Sequence, residues 1–334
     1  MLVIFILRLV YSGIISGGGV DRLSAYYECS LLIIKWHVFF EGIRIFLYFC
    51  GKVNIMILIA DSGSTKTDWV LADGRHVVRQ VLTQGINPFH QDRLTVENIV
   101  AGELLPKLGA ADVKAVYYYG SGCREEFIPM MADIFTAAFS GAEHVEVNGD
   151  LLGASRAVCG RDEGIACILG TGANSGLYDG VRITGNTPPL GYILGDEGSG
   201  AVLGRMFVNA IFKGGLPESL RDEYLSITGQ TMADIIRRVY REPLANRYLA
   251  SMSCFIAGRL DVPSLRSMVI ENFRSFFSRN VVQYCRPDLP VGAVGSIAYY
   301  FRAELEEAAG VEGFTVGKVM RSPLEGLVAF HGGK

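Results

Sequence analysis

The chain contains the same strand–turn–strand pattern twice, roughly a hundred residues apart. The first copy consists of an apolar run at 57–60, a turn rich in Ser, Thr and Gly, and a second apolar run at 69–72. The second copy consists of the run 165–169, the turn 170–175 and a return at 176–178. Each copy is followed by Asp-Gly, which is typical of a β-hairpin closed by a further turn. A repeat this long exceeds the period of solenoids and indicates two similar α/β halves.

Length and composition fit two domains and exclude several classes of protein. The chain has 334 residues, of which 50% are hydrophobic and 19% charged, which is enough apolar material for a buried core. The net charge of −3, without a run of Lys and Arg, argues against a nucleic-acid partner. Seven cysteines without C-x-x-C spacing indicate neither a disulfide framework nor a zinc site. We therefore expect a cytoplasmic protein with reduced thiols.

The two turns have the chemistry of phosphate-binding loops. Glycine lets successive backbone N–H groups point into one concavity, and Ser and Thr hydroxyls add donors. Asp61 ends the first strand, where a carboxylate together with water would hold Mg²⁺. For either turn alone, an ordinary tight hairpin of small residues is the alternative. The sequence contains neither a P-loop motif nor a dinucleotide-binding G-x-G-x-x-G after a strand. The predicted phosphate contacts are Gly63, Ser64, Thr65, Lys66 and Thr67 in the first turn and Gly170, Thr171 and Gly172 in the second.

Asp150 is the candidate general base. The alternation at 143–148 predicts a strand, and the pattern at 151–158 predicts a helix, so Asp150 lies where the strand ends and the helix begins. One interpretation is a helix N-cap. The other is a carboxylate that accepts the proton of a sugar hydroxyl, held ionised and weakly basic by the helix N-terminus. The two roles are compatible.

Further small-residue turns are candidates for the substrate side. Asn87 and Gly122 lie in two of them, and Asp196 lies in the turn Gly-Asp-Glu-Gly-Ser-Gly at 195–200, before an apolar helix. Ala173 and Asn174 belong to the second hairpin turn, where phosphate and substrate would meet. Amide and carboxylate groups supply the donors and acceptors that sugars need, although turn and cap roles are the alternative for Asn87 and Asp196.

The first 55 residues do not match this pattern. They are rich in Ile, Leu, Phe and Tyr, but charges and glycines interrupt each apolar run before it reaches the length of a membrane span. A secretory signal would place Arg8 ahead of the apolar run rather than inside it. Because Met56 stands directly before the first strand, we expect residues 1–55 to be a non-native or disordered extension from a misassigned translation start; a weak membrane anchor is the alternative.

The order of these motifs resembles the actin/hexokinase superfamily of ATPases, and most closely its N-acetylglucosamine kinase branch. That branch shares a family with the ATPases that activate benzoyl-CoA reductase and 2-hydroxyacyl-CoA dehydratase. The resemblance extends from Met56 to the C-terminus. It departs at the first turn, where Ser62 and Ser64 stand in place of the usual glycines. The matching segments are 61–68, Asp150, 170–172, 195–199 and 295–296.

The resemblance implies two ribonuclease-H-like (actin-like ATPase) α/β domains with Mg·ATP in the cleft between them. The expected bounds are 56–160 and 161–317, with a C-terminal helix at 318–334 that packs back on the first domain. Asp150 would be the catalytic base, Asn87, Asn174 and Asp196 would contact the sugar, and Gly295 and Ser296 would lie at the adenosine. A homodimer is also expected.

The function that we expect is therefore ATP-dependent transfer of the γ-phosphate to a hydroxyl of an amino sugar, most specifically O6 of N-acetylglucosamine. An activator ATPase of a CoA-ester dehydratase is one alternative, but it would need cysteines for an iron–sulfur cluster, and nothing around Cys123 or Cys159 favours that. A non-catalytic sugar sensor on the same fold is the other alternative.

Overall fold

The computed structural model describes residues 56–63 and 65–333. The expectations for residues 1–55 and for Ser64 concern positions outside this range. The described residues form two five-stranded sheets of identical strand order. The first sheet comprises β1 Met56–Ser62, β2 Lys66–Asp73, β3 His76–Gln84, β4 Val113–Gly120 and β5 His144–Gly149. The second comprises β6 Gly164–Leu169, β7 Ala173–Tyr178, β8 Ile183–Gly185, β9 Val291–Val294 and β10 Val316–Met320.

The two sheets share their topology as well as their strand number. The first runs β3-β2-β1-β4-β5 and the second β10-β9-β6-β7-β8, so each has a central strand, an antiparallel hairpin on one side and two parallel strands on the other. The prediction of two similar α/β halves is therefore confirmed.

Both hairpins are longer than the apolar runs suggest. In the first, Asp61 pairs with Asp68 and Ser62 with Thr67, so the turn itself is short. In the second, Leu169 pairs with Ala173. Polar residues that the sequence pattern assigns to turns thus belong to strands, because backbone pairing continues until the glycines interrupt it.

Helices connect the strands and cover the sheets. A single helical stretch consists of α1 Arg93–Ile99, a π-helical turn Val100–Leu104 and α2 Leu105–Leu108. None of the helices formed by residues 56–63 and 65–333 has both the length and the apolar character needed to cross a bilayer. The others are α3 Ile128–Ala138, α4 Asp150–Val158, α5 Gly191–Leu194, α6 Gly200–Phe212, α7 Glu218–Thr228, α8 Met232–Tyr240, α9 Ala245–Ser251, α10 Ser253–Ala257, α11 Pro263–Phe276, α12 Ser296–Tyr300, α13 Arg302–Val311 and α14 Leu324–His331.

The central strand of the first sheet is buried on both faces. Leu58 and Ala60 contribute to one core cluster, whereas Ile57 and Ile59 contribute to the cluster on the opposite face. The second cluster also contains Leu327 and Val328 of α14, which therefore packs on the first sheet. Alternation of apolar side chains between two covered faces is what a buried, partly parallel sheet requires.

The C-terminal segment differs from the predicted helix at 318–334. Residues Val316–Met320 form β10 at the edge of the second sheet, and the helix covers only Leu324–His331. The β-branched residues Val316 and Val319 favour a strand. Pro323 lies directly before the helix, at a position where its fixed φ is compatible with a helix start.

Candidate functional site

Three strands of the first sheet end at the same level. Ser62 of β1 is in register with Gly120 of β4, and Gly120 is in register with Gly149 of β5. Asp61 is the last residue but one of β1 and Asp150 directly follows β5, so the sheet brings both residues to one edge. Both residues are partly buried. Carboxyl ends of parallel strands are where open α/β sheets carry their ligands.

Electrostatics confirms that the two carboxyl groups interact. Burial, together with the nearby charges of Asp150 and Asp68, raises the pKa of Asp61 to about 7, while Lys66 opposes the shift. The Lys66 ammonium lies 2.6 Å from an Asp68 carboxylate oxygen. Three carboxyl groups and the Lys66 ammonium thus lie close together around Asp61.

The expectation that Asp150 is an ionised, weakly basic N-cap is wrong in two respects. Gly149 is the N-cap residue of α4 and Asp150 is the first residue within the helix. Burial raises the pKa of Asp150, and hydrogen bonds from the backbone N–H groups of Leu151 and Asp150 itself lower it only partly. The desolvation of a carboxylate in this crevice outweighs the favourable helix N-terminus, so Asp150 is a stronger base than the sequence position suggests.

Beneath the first turn, hydroxyl groups fix its geometry. The Ser62 and Thr67 hydroxyl oxygens lie 2.6 Å apart, and Ser62 donates to the Ile86 carbonyl at 2.8 Å. The Ile86 N–H lies 3.1 Å from the Ser62 oxygen and 3.2 Å from the Thr67 oxygen, while Thr67 donates to the Gln84 carbonyl. Thr67 is fully buried, so its hydroxyl supports the turn from below instead of facing a phosphate. Gly63, Thr65 and Lys66 are exposed around the turn.

Asn87 and Gly122 lie against one another beside this floor. Asn87 is buried, and its amide oxygen accepts the N–H of Phe89. Gly122 has a φ of +72°, and a Cβ at this position would lie 2.1 Å from the Asn87 amide oxygen. Only glycine therefore fits the predicted sugar-side turn. The turn is joined to the first hairpin, because the Ser121 N–H donates to the Ser62 carbonyl.

The second hairpin turn is held by the start of α6 and by Gly295. The N–H groups of Gly200 and Ala201 donate to the carbonyls of Gly170 and Thr171. Gly295 has a φ of +125°, and a Cβ there would lie 2.2 Å from the Leu169 carbonyl oxygen. The structure therefore brings Gly170, Thr171 and Gly172 together with Gly295, and Ser296 lies exposed at the start of α12.

Asp196 belongs to this second group. It adopts a left-handed backbone with a φ of +55°, and its carboxylate accepts hydrogen bonds from the N–H groups of Ala173 and Gly191. A Cβ at Gly172 would lie 3.0 Å from an Asp196 carboxylate oxygen, so the side chain rests on the turn. Burial raises the pKa of Asp196 to about 6, although those two hydrogen bonds lower it.

Sequence reasoning missed two polar partners of the site. The Asn186 amide donates to the Asn174 amide oxygen at 2.9 Å and to the Ser175 carbonyl at 2.7 Å. Asp68 contributes to the raised pKa of Asp61. Asn186 follows Gly185 in a Gly-Asn-Thr-Pro-Pro segment, and that pattern predicts only a turn. Asp68 ends the first motif, and nothing in the sequence pattern indicates that its charge acts on Asp61.

The two groups of residues lie on neighbouring elements. Leu151, directly after Asp150, contacts β7 of the second hairpin, since a Cβ at Gly176 would be 2.9 Å from a Leu151 methyl group. Helix α4 packs against strands of both sheets. Helix α4, which begins at Asp150, therefore joins the edge of the first sheet to the second hairpin.

Comparison with solved structures gives the class of fold. A ROK family glucokinase from Streptomyces griseus, solved with glucose and AMPPNP, matches with a TM-score of 0.56 and 13% identity, over 82% of this chain and 97% of that one. A structure from Chromobacterium violaceum matches with a TM-score of 0.63 and 17% identity, over 82% and 98% of the two chains. These likenesses identify the two sheets as the actin/hexokinase-like ATPase fold. Neither a protein-family model nor a curated protein matches the chain.

A third match is much closer in sequence. It is a putative N-acetylglucosamine kinase from Porphyromonas gingivalis, with 49% identity and a TM-score of 0.80, over 83% of this chain and 99% of that one. The chain therefore belongs to the N-acetylglucosamine kinase-like family of the actin/hexokinase superfamily.

Proposed function

We propose that this protein transfers the γ-phosphate of ATP to a hydroxyl of an amino sugar, with N-acetylglucosamine and its O6 as the acceptor. The observation that carries the proposal is the position of Asp150 beside Asp61, at the edge where β1, β4 and β5 end. The family supports it, since the Porphyromonas gingivalis relative bears the description of an N-acetylglucosamine kinase.

The carboxyl groups fit a magnesium ion that arrives with ATP. Burial and, after it, repulsion by the neighbouring carboxylates raise the pKa of Asp61, and a divalent cation would relieve that repulsion. No set of three His, Cys, Asp or Glu residues in the described part of the chain is arranged as a metal cage. Mg²⁺ in phosphoryl-transfer sites is commonly held by one or two carboxylates, phosphates and water. Asp61 would hold it in this way, and the ion would neutralise charge on the phosphates.

The two hairpin turns would contact the phosphates from opposite halves. In the first turn, Gly63 and Thr65 are exposed, the Gly63 N–H donates to the Lys66 carbonyl, and the Lys66 ammonium supplies a positive charge. Thr171 is exposed in the second turn, next to the partly exposed Gly170. Gly295 and Ser296 lie behind that turn, where the adenosine would approach the backbone.

In the proposed step the sugar hydroxyl oxygen attacks the γ-phosphorus, the bond from that phosphorus to the β–γ bridging oxygen breaks, and ADP leaves. Asp150 orients the hydroxyl and accepts its proton late in the transfer. The raised pKa makes this carboxylate more basic than an ordinary Asp, which favours the acceptor role at neutral pH.

Amide and carboxylate groups from both halves would select the sugar. Asn87 with Gly122 lies on the Asp61 side, Asn174 lies in the second hairpin, and the Asp196 side chain rests on the turn of that hairpin. A site that hydrogen-bonds each hydroxyl rejects analogues that lack one, because its buried polar groups then lose their partners.

The test is sugar-stimulated ADP release with a panel of glucose, glucosamine, N-acetylglucosamine and N-acetylmuramic acid. We expect release to depend on sugar and to be greatest with N-acetylglucosamine. Folded protein that hydrolyses ATP equally well with and without every sugar would contradict the kinase assignment and favour an activator ATPase. Burial argues against the latter, because it raises the pKa of Cys123 to about 12 and of Cys159 to about 11, which disfavours the thiolates that cluster ligation needs.

Three broader statements remain proposals. The domains are taken as 56–160 with the C-terminal helix and 161–317; the residues of the two sheets support the division near 160, whereas β10 carries the second sheet on to Met320. We also propose a cytoplasmic homodimer. Sedimentation velocity of purified protein and fractionation of the native cells would test these two points.

A further inference from the structure

A second cavity lies at the far end of helix α4 from Asp150. It has a volume of about 360 Å³, within the range of small-molecule sites. Helix α4 has nine residues, so its two ends are separated by about 13 Å. The cavity is therefore distinct from the candidate kinase site, and its case does not depend on the proposed function.

The cavity is strongly cationic although the whole chain has a net charge of −3. Arg75, Arg156, Arg161 and Lys318 line it, and none of the lining residues that the structure describes carries a carboxylate. Two acidic groups lie nearby. Glu146 is bonded to Arg156 at 2.6 Å, and Asp162 is close to Cys159. The positive charge around the cavity therefore exceeds the negative charge.

Two of the four cations have structural partners. Lys318 donates to the Ala157 carbonyl, which completes the C-terminus of α4, and Arg156 donates to Glu146 and to the Tyr119 hydroxyl. Even so, the Nε of Arg156 is buried without a hydrogen-bond partner among the described residues.

The other two cations are not explained by such contacts. Within the described part of the chain, Arg75 and Arg161 form no ion pair, and both are exposed. The Arg161 guanidinium lies 4.7 Å from the centroid of the Phe330 ring, and the Arg156 guanidinium lies 5.2 Å from it. Phe330 thus holds two guanidinium groups at one wall of the cavity.

The cavity also adjoins both places where the chain passes between the two sheets. Cys159, Gly160 and Arg161 belong to the connection from α4 to β6, whereas Lys318 and Gly326 flank the return from β10 to α14. A ligand here would contact both connections at once.

From these observations we propose that the cavity binds a phosphate monoester of a small molecule. Four cations suit a dianionic phosphate, and planar guanidinium groups bind its oxygens in pairs. The volume exceeds what a bare anion needs, which favours an ester with a small organic group.

The test is calorimetric titration of the full chain with glycerol 3-phosphate, with glycerol as the neutral control and chloride added to equal ionic strength. We expect Arg75→Gln and Arg161→Gln each to raise the dissociation constant about tenfold, since each removes a charge-assisted hydrogen bond. Arg241→Gln, at an exposed arginine outside the cavity, is the matched control and should leave it unchanged.

Lys66→Gln separates this cavity from the first hairpin. If Lys66→Gln weakens the binding of glycerol 3-phosphate and the two cavity variants leave it unchanged, the anion binds at the candidate kinase site and the proposal is overturned. The absence of any binding would overturn it as well. Inorganic phosphate should bind more weakly through the same arginines. Equal affinity for inorganic phosphate would refute the ester part of the proposal.

Discussion

Replacing Asp61 by asparagine should make the metal-free protein more stable, and by an amount that depends on pH. The folded protein raises the pKa of this carboxyl from 3.8 to about 7. A raised pKa means that ionisation is unfavourable in the folded state, so the wild-type protein loses stability as the pH rises from about 4 to about 7. The Asp61→Asn variant would carry no such penalty, because the amide side chain has nearly the same shape and no charge.

The magnitude follows from the shift. Each pKa unit corresponds to about 1.4 kcal/mol, so a shift of roughly three units gives an upper value of about 4 kcal/mol above pH 7. Below about pH 4 the carboxyl is protonated in both states, and the difference between variant and wild type should fall close to zero.

Urea unfolding in EDTA, at intervals from about pH 4 to about pH 8, measures the difference directly. Asp150→Asn should lower the pKa of Asp61 and thereby reduce the extra stability that Asp61→Asn confers, because Asp150 is the strongest neighbouring charge. A difference between wild type and Asp61→Asn that is constant across this range, or that grows toward acid pH, would refute the reasoning.

Three other substitutions test separate parts of the site. Gly295→Ala should destabilise the fold by several kcal/mol, because its Cβ would meet the Leu169 carbonyl at 2.2 Å. The control is Gly310→Ala, at a glycine that lies in a helix with open space around it. This variant should be more stable than the wild type by about 0.5–1 kcal/mol in thermal unfolding. Thr67→Val should lower the free energy of unfolding by about 1–3 kcal/mol, since it leaves buried polar neighbours without a hydrogen-bond partner. An unchanged free energy of unfolding would show that the Ser62 and Thr67 hydroxyl groups do not support the first turn. Asp196→Asn should raise KM for the sugar about tenfold and change KM for ATP little. The wild-type KM for the sugar should rise below about pH 6, where Asp196 is protonated. An equal rise in the variant would exclude Asp196 as the cause.

Much of the fold could be predicted from the sequence, because it depends on local patterns. The two strand–turn–strand runs gave the paired halves, and the alternation before Asp150 gave the end of β5 and the start of α4. The edge strand Val316–Met320 could not be found in this way, since a short strand at a sheet edge depends on its pairing with β9.

The sequence predicted which residues belong to the candidate site better than it predicted their chemical behaviour. Glycines at positions 122, 172 and 295 signal small size, yet only the structure reveals the side chain or carbonyl that excludes a Cβ. The raised pKa of Asp150 reverses the expectation drawn from its helix position, because desolvation depends on elements distant in sequence. Thr67 lies within the first motif, but its side chain is buried and points away from the surface. This burial also depends on elements that are distant in sequence.

The central claim is that Asp150 accepts the proton in transfer from ATP to N-acetylglucosamine. It is tested most directly by ³¹P NMR of product formation for wild type and Asp150→Asn, with ATP affinity measured on the same samples. We predict a sugar 6-phosphate from the wild type, and a rate at least about 10²-fold lower in the variant with nearly unchanged ATP affinity. Near-normal turnover by folded Asp150→Asn would contradict the account.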